Sequence, residues 1–173
     1  DTALEGALLG NDTDVEGDAL SVTTVTTEVE GEPTDHPAGS PIALASGATL
    51  TVQADGTYDY DPNGAFEPLG AGDEAEESFS YTISDGNGGT STASVTITIT
   101  GVNDAPVAGD DTDTTDEDSV LNGAVLGNDT DVEGDALSVT TVTTEVEGEP
   151  TDHPAGSPID LASGATLTVN ADG

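Results

Sequence analysis

Oxygen donors recur at alternate positions in Asn11–Leu20 (NDTDVEGDAL), and the same ten residues return at Asn128–Leu137. The core of this stretch is Asp12-x-Asp14-x-Glu16-Gly17-Asp18, with Asp129, Asp131, Glu133 and Asp135 in the second copy. Carboxylates at every second position, with a glycine sixth, let a tight loop converge oxygens on one hard cation such as Ca2+, as in the first half of an EF-hand loop. The glutamate that closes an EF-hand at position twelve is missing, since Thr23 and Thr140 stand there. No helix is expected beside the loop, so further ligands must come from elsewhere in the fold. A solvated acidic turn is the alternative, because duplication preserves bland loops as faithfully as functional ones.

A second concentration of acids surrounds Gly101–Gly109 (GVNDAPVAG). Asn103 and Asp104 precede Ala105-Pro106, and Asp110, Asp111, Asp113, Asp116, Glu117 and Asp118 follow. Acids this dense beside a hinge repel one another unless a cation bridges them; an acidic flexible linker is the competing explanation. In Ser84–Gly89 (SDGNGG), Asp85 and Asn87 could also ligate calcium, although a plain glycine turn accounts for them equally well. His36 and His153, within the turn-like TDHPAGSP, read as exposed loop residues. Asn11-Asp12-Thr13 and Asn128-Asp129-Thr130 fit the N-glycosylation sequon but overlap the metal loop and are discounted. No nucleophile–base constellation stands out, and an enzyme is not expected.

Composition points the same way. The chain has 36 acids, two histidines and no lysine or arginine. Phosphate neutralisation needs cations on the protein, so nucleic-acid binding is excluded, and an anionic membrane surface is an equally poor partner. Such charge favours solubility but repels itself in the compact state. With no basic side chain to offset it, the counter-charge must come from solution, and a divalent cation is the natural source. The absence of cysteine removes disulfides and thiolate zinc sites. No apolar stretch approaches the roughly 20 residues of a membrane span.

Strands must position these loops. In Ala48–Asp61, Ala48, Leu50 and Val52 share one face, and Tyr58 and Tyr60 take it up after the turn. A three-residue loop Ala54-Asp55-Gly56, with Gly56 left-handed in a bulge, pairs Val52 with Tyr58 and Leu50 with Tyr60. A two-residue turn would set Val52 against Asp59 instead. Phe79, Tyr81 and Ile83 alternate into the loop Ser84–Gly89, and Ala93, Val95, Ile97 and Ile99 alternate back. Parity switches between Leu20/Val22 and Val25/Thr27/Val29, which predicts a bulge near Thr23-Thr24 or a strand crossing between sheets. No segment sustains a helical period, so the class is all-β.

Asp1–Gly56 returns as Asp118–Gly173, offset by 117 residues, with substitutions at Thr2/Ser119, Ala3/Val120, Glu5/Asn122, Leu8/Val125, Ala43/Asp160 and Gln53/Asn170. A near-identical copy indicates a tandem array. The spacing suggests antiparallel Ig-like sandwich repeats, which typically need about 100 residues each. The expected division is residues 1–105, a repeat lacking its first strand, and residues 106–173, the first part of the next. All five aromatics (Tyr58, Tyr60, Phe66, Phe79 and Tyr81) lie between Thr57 and Tyr81, so the second repeat is expected to be incomplete. Its last strand, Ala165–Val169, would then lack a hairpin partner.

GVNDAPVA, NDTDVEGDALSV, ATLTVQADGTYDYDPNGAF and SFSYTISDGNGGTSTASVTITITGVND together resemble the bacterial cadherin-like repeats, particularly the VCBS type, arrayed in very large secreted adhesins. The resemblance covers nearly the whole chain in the family's order. It implies an Ig-like sandwich, an extracellular setting, calcium at domain and linker sites, and a role in adhesion, biofilm or surface filaments. Carried over residue by residue, it places ligands on Asp12, Asp14, Glu16 and Asp18, their counterparts, and Asn103-Asp104. Glu67–Glu77 departs from the pattern, being longer and more acidic than the usual link. Adjacent repeats and calcium are the expected partners. A calcium-stiffened spacer is favoured over a repeated module binding glycans or a partner surface. The latter would show an exposed aromatic platform, yet only Phe66 is left unassigned to a core face.

Overall fold

The computed structural model describes residues 3–146 and 149–173; the first two residues of the repeat, Asp1 and Thr2, lie outside the described residues. The chain divides into unit 1, Asp1–Val102, and unit 2, Asn103–Gly173.

Unit 1 is a sandwich of two four-stranded antiparallel sheets. Its strands are β1 (Leu4–Ala7), β2 (Ser21–Val29), β3 (Glu32–Pro37), β4 (Ile42–Ala43), β5 (Thr49–Val52), β6 (Thr57–Asp61), β7 (Glu74–Ser84) and β8 (Thr90–Thr100). One sheet runs β1-β6-β5-β4 and the other β3-β2-β7-β8. The helical content of the described residues is one short 3-10 turn, Leu9–Asn11, so the all-β class stands.

The hairpin register is the expected one, with Leu50 opposite Tyr60 and Val52 opposite Tyr58. Gly56 takes φ +83°, a left-handed conformation that costs a glycine least. The parity switch in β2 is a bulge between Val22 and Thr24, which turns Val22, Val25 and Thr27 all inward. Leu50, Val52 and Tyr60 of one sheet pack with Val25, Phe79 and Tyr81 of the other in one core. The Tyr58 and Phe79 rings meet edge to face, with centroids 6.2 Å apart.

Two expectations need correction, and the form of Glu67–Glu77 is now defined. Phe66 is not free: it is half-buried against the core. His36 and His153 are not loop residues, because Thr34–Pro37 continues β3 and the equivalent segment continues a strand of unit 2. Each histidine is half-buried, with its Nε2 3.1 Å from a threonine hydroxyl, Thr27 or Thr144. The acidic end of Glu67–Glu77 is strand rather than link, since β7 begins at Glu74 and Glu74–Glu77 pair with Ile97–Thr100. Glu77 thereby reaches the core rim and accepts the Tyr60 hydroxyl at 2.6 Å.

Unit 2 holds two short hairpins: β9 (Thr141–Val146) with β10 (Glu149–Pro154), and β11 (Ile159–Asp160) with β12 (Thr166–Leu167). The expected strand Ala165–Val169 is reduced to β12, paired on one side only. Ile159 is the one buried hydrophobic residue among the described residues of unit 2.

Candidate functional site

The acidic loop has the same conformation in both copies. In unit 1, Asp14 Oδ1 accepts the Asp18 amide at 2.9 Å, and the Gly17 amide bonds the Asp14 carbonyl. In unit 2, Asp131 Oδ1 accepts the Asp135 amide at 3.0 Å, and the Gly134 amide bonds the Asp131 carbonyl. Gly17 and Gly134 both take φ near +80°, as the sharp reversal requires. Local sequence therefore sets the loop without help from its surroundings.

What packs on the loop differs. In unit 1, Tyr81 donates its hydroxyl to Asp12 Oδ2 at 3.0 Å. The Asn87 side-chain amide donates to Asp18 Oδ2 at 2.8 Å, tying the loop to the β7–β8 turn. Asp85 is spent inside that turn, its Oδ1 accepting the Asn87 and Gly89 amides at 2.7 and 2.9 Å. Burial, and then the bond to Asp12, push the Tyr81 phenol above its ordinary pKa. Glu16 points into solvent, and Val15 beside it is 97% exposed.

In unit 2 the segment that begins at Asn103 lies across the loop. Val107 and Thr130 exchange backbone hydrogen bonds of 2.7 and 2.9 Å. Asp129 Oδ1 accepts the Gly109 amide at 2.8 Å, Glu133 Oε1 accepts the Asp104 amide at 2.7 Å, and the Asn128 side chain donates to the Asp110 carbonyl. Val132 is 47% exposed, half as much as Val15. Two sets that the sequence kept apart, Asn103-Asp104 and the loop residues Asp129, Asp131 and Asp135, thus line one cavity of about 350 Å³, which Glu133 adjoins through Asp104 without lining it. Asp110, Asp111, Asp116, Glu117 and Asp118 do not join it and lie exposed along the chain. Asp116 is held below the usual carboxylate range by the Ser119 hydroxyl and the Asp118 amide.

The carboxylates that line this cavity, Asp104, Asp129, Asp131 and Asp135, offer the oxygen donors a hard divalent cation prefers. Glu133 Oε2 is buried with no hydrogen-bond partner in the protein. A buried carboxylate oxygen left unpaired is costly, and a bound cation would satisfy it. Among the described residues, no three acidic or histidine side chains stand close enough together to form a finished metal cage. Any ligand sphere must therefore be completed by side-chain adjustment, backbone carbonyls or water. The aromatic platform that a glycan-binding module would show is absent among the described residues, since every exposed large hydrophobic is a leucine or valine.

Residues 1–101 match the family model of the bacterial cadherin-like domain, and residues 103–173 match that of a bacterial Ig domain. No curated protein matches the chain significantly. Modules of these two kinds are structural or adhesion-type repeats, typically extracellular and non-enzymatic. No helix among the described residues is long and apolar enough to cross a membrane.

Proposed function

The chain belongs to the bacterial cadherin-like domain family, and from that premise we propose that it is a calcium-rigidified spacer of a long extracellular adhesin or matrix filament. The observation that carries the reading is the buried, unpaired Glu133 Oε2, where Asn103-Asp104 meets the acidic loop. Asn103, Asp104, Asp129, Asp131, Glu133 and Asp135 would hold the ion. In unit 1, Asp12, Asp14, Glu16 and Asp18 are the corresponding donors. Bound calcium supplies positive charge to a chain whose own side chains provide almost none. Because Asn103 follows directly on Val102, the last residue of unit 1, holding Asn103 and Asp104 to the loop also fixes the path by which the chain enters unit 2. Near-identity of the copies favours a spacer, since each unit then repeats one mechanical task.

Calcium titration of the whole chain by calorimetry tests this. Extracellular calcium modules bind at about 10⁻⁴–10⁻³ M, and Glu133→Gln should weaken one site selectively. Equal heats from the parent and Glu133→Gln chains, or none from either, would remove the basis for the reading.

A further inference from the structure

The turn between β7 and β8 holds an asparagine followed by a glycine, Asn87-Gly88. Its backbone amides are spent, with one exception. Asp85 donates to the Gly89 carbonyl, Gly86 to the Ser84 hydroxyl, and Asn87 and Gly89 to the Asp85 carboxylate. The Gly88 amide alone among residues 85–89 has no partner in the protein, and Gly88 is exposed. Space around it is open, since a Cβ built there would meet no heavy atom within 4 Å. Asn87 is exposed too, and its side-chain Nδ2 donates to Asp18 Oδ2 of the acidic loop at 2.8 Å.

We propose that Asn87-Gly88 is a site of enzyme-free deamidation, gated by Asp18. A glycine nitrogen carries no side chain beside it to hinder close approach, and this one has a proton free to leave. Hydroxide takes the Gly88 N–H proton, and the nitrogen bonds to Asn87 Cγ. The Cγ–Nδ2 bond then breaks, and Nδ2 leaves as ammonia with a proton from water. The cyclic imide that remains adds one water. Opening at Cγ gives aspartate, whereas opening at the backbone carbonyl gives isoaspartate, with the main chain running through Cγ. The net change is carboxamide plus water to carboxylic acid plus ammonia, and nothing is oxidised or reduced.

The Asp18 bond holds the nitrogen that must leave, so ring closure waits on its rupture. A hydrogen bond to a charged acceptor slows such a step about ten- to a hundredfold. The product inverts the contact. At neutral pH a carboxylate replaces the donor opposite Asp18, and like charges repel where a bond stood. The acidic loop thereby loses its tie to the β7–β8 turn. No bound cation is needed, since every reacting group belongs to the protein or to water. Asn63-Gly64 and Asn122-Gly123 are the other such pairs. Gly64 is engaged, and Asn63 donates its side-chain amide to the Gly47 carbonyl at 3.3 Å. Asn122-Gly123 is exposed and outside any strand, so it supplies the unrestrained reference.

The test incubates the intact chain with chelator at mildly alkaline pH and maps it by mass spectrometry, with fragmentation that separates isoaspartate from aspartate. Asn87 should exchange NH for oxygen, with isoaspartate among the products, about ten- to a hundredfold more slowly than Asn122. Asp18→Ala should close that gap. Asp18→Asn, still a neutral acceptor, should fall between the two and serves if the alanine variant alters the turn. Asn87→Asp, which copies the product, should melt lower than Asn87→Ser at low ionic strength, and salt should remove the difference. Aspartate without isoaspartate would mean direct hydrolysis of the side chain and no attack by Gly88. That result, an unchanged rate in both Asp18 variants, or equal melting of Asn87→Asp and Asn87→Ser at low ionic strength would overturn the proposal.

Discussion

At the scale of residues, the two buried phenols show how the acids of this chain are used when no base is available. Tyr60 donates to Glu77 and Tyr81 to Asp12. Burial first, and then the accepting carboxylate, raises both phenols above the ordinary value of 10.0. The folded state therefore holds these protons more tightly than the unfolded chain does. Their contribution to stability is complete below pH 10 and is lost as pH rises from there through the folded values. Lysine, arginine and cysteine are absent, so tyrosines alone among the side chains titrate in that range. Thermal melting of the chain should be flat from neutral pH to about 9 and fall above about 10. Tyr60→Phe with Tyr81→Phe should lose about 1–3 kcal/mol at neutral pH through two missing hydrogen bonds, and should flatten the alkaline fall. An alkaline fall as steep in the double variant would show that the phenols are not its cause. The hairpin register was legible because alternation and a single glycine permit one solution. The roles of Glu77 and His36 were not, since each depends on a partner, Tyr60 or Thr27, on another strand.

Between the two copies, strands form only where a neighbour exists, although the residues are nearly the same. Leu4–Ala7 is a strand beside β6, yet Leu121–Ala124 is not one. Thr49–Val52 forms the whole of β5, but only Thr166–Leu167 of its counterpart pairs. β2 starts at Ser21, where it meets β7, whereas β9 starts at Thr141, three residues later in the repeat. Pairing, more than propensity, thus decides these ends. The acidic loop behaves in the opposite way, folding alike in both copies through its own Asx bonds, so its shape was legible from sequence alone. Its convergence with Asn103-Asp104 was not, because that contact spans Asp104 to Glu133. Extending the chain with a second copy of Thr57–Thr100 should turn residues 121–124 into a strand and lengthen β12 to the bounds of β5. Hydrogen exchange at Gly123 and Val169 would measure it. Unchanged exchange in the extended chain would mean that some feature other than the missing neighbour prevents pairing.

Across the whole molecule, charge without counter-charge is the governing fact: 36 acids and a formal net charge of −36. Self-repulsion on this scale opposes the compact state and is strongest at low ionic strength. Simple salt screens it generally, whereas a cation held by Glu133 and its neighbours acts at one place. At free calcium about 100 times the dissociation constant, each independent site adds about 2.7 kcal/mol, a large share of the roughly 5–15 kcal/mol of an ordinary domain. Chelation at low ionic strength should therefore lower the melting temperature and broaden the distribution of end-to-end distances seen by X-ray scattering. Sodium chloride at matched ionic strength should recover part of the melting temperature without narrowing that distribution. The triple variant Asp12→Asn, Asp14→Asn, Asp18→Asn should reproduce the stability loss in unit 1. Asp104→Ala keeps its backbone amide on Glu133 and removes only a carboxylate, so it should broaden the distances with little effect on melting. If sodium chloride restores everything that calcium does, the acids act as a diffuse charge and the calcium-rigidified spacer is the wrong description.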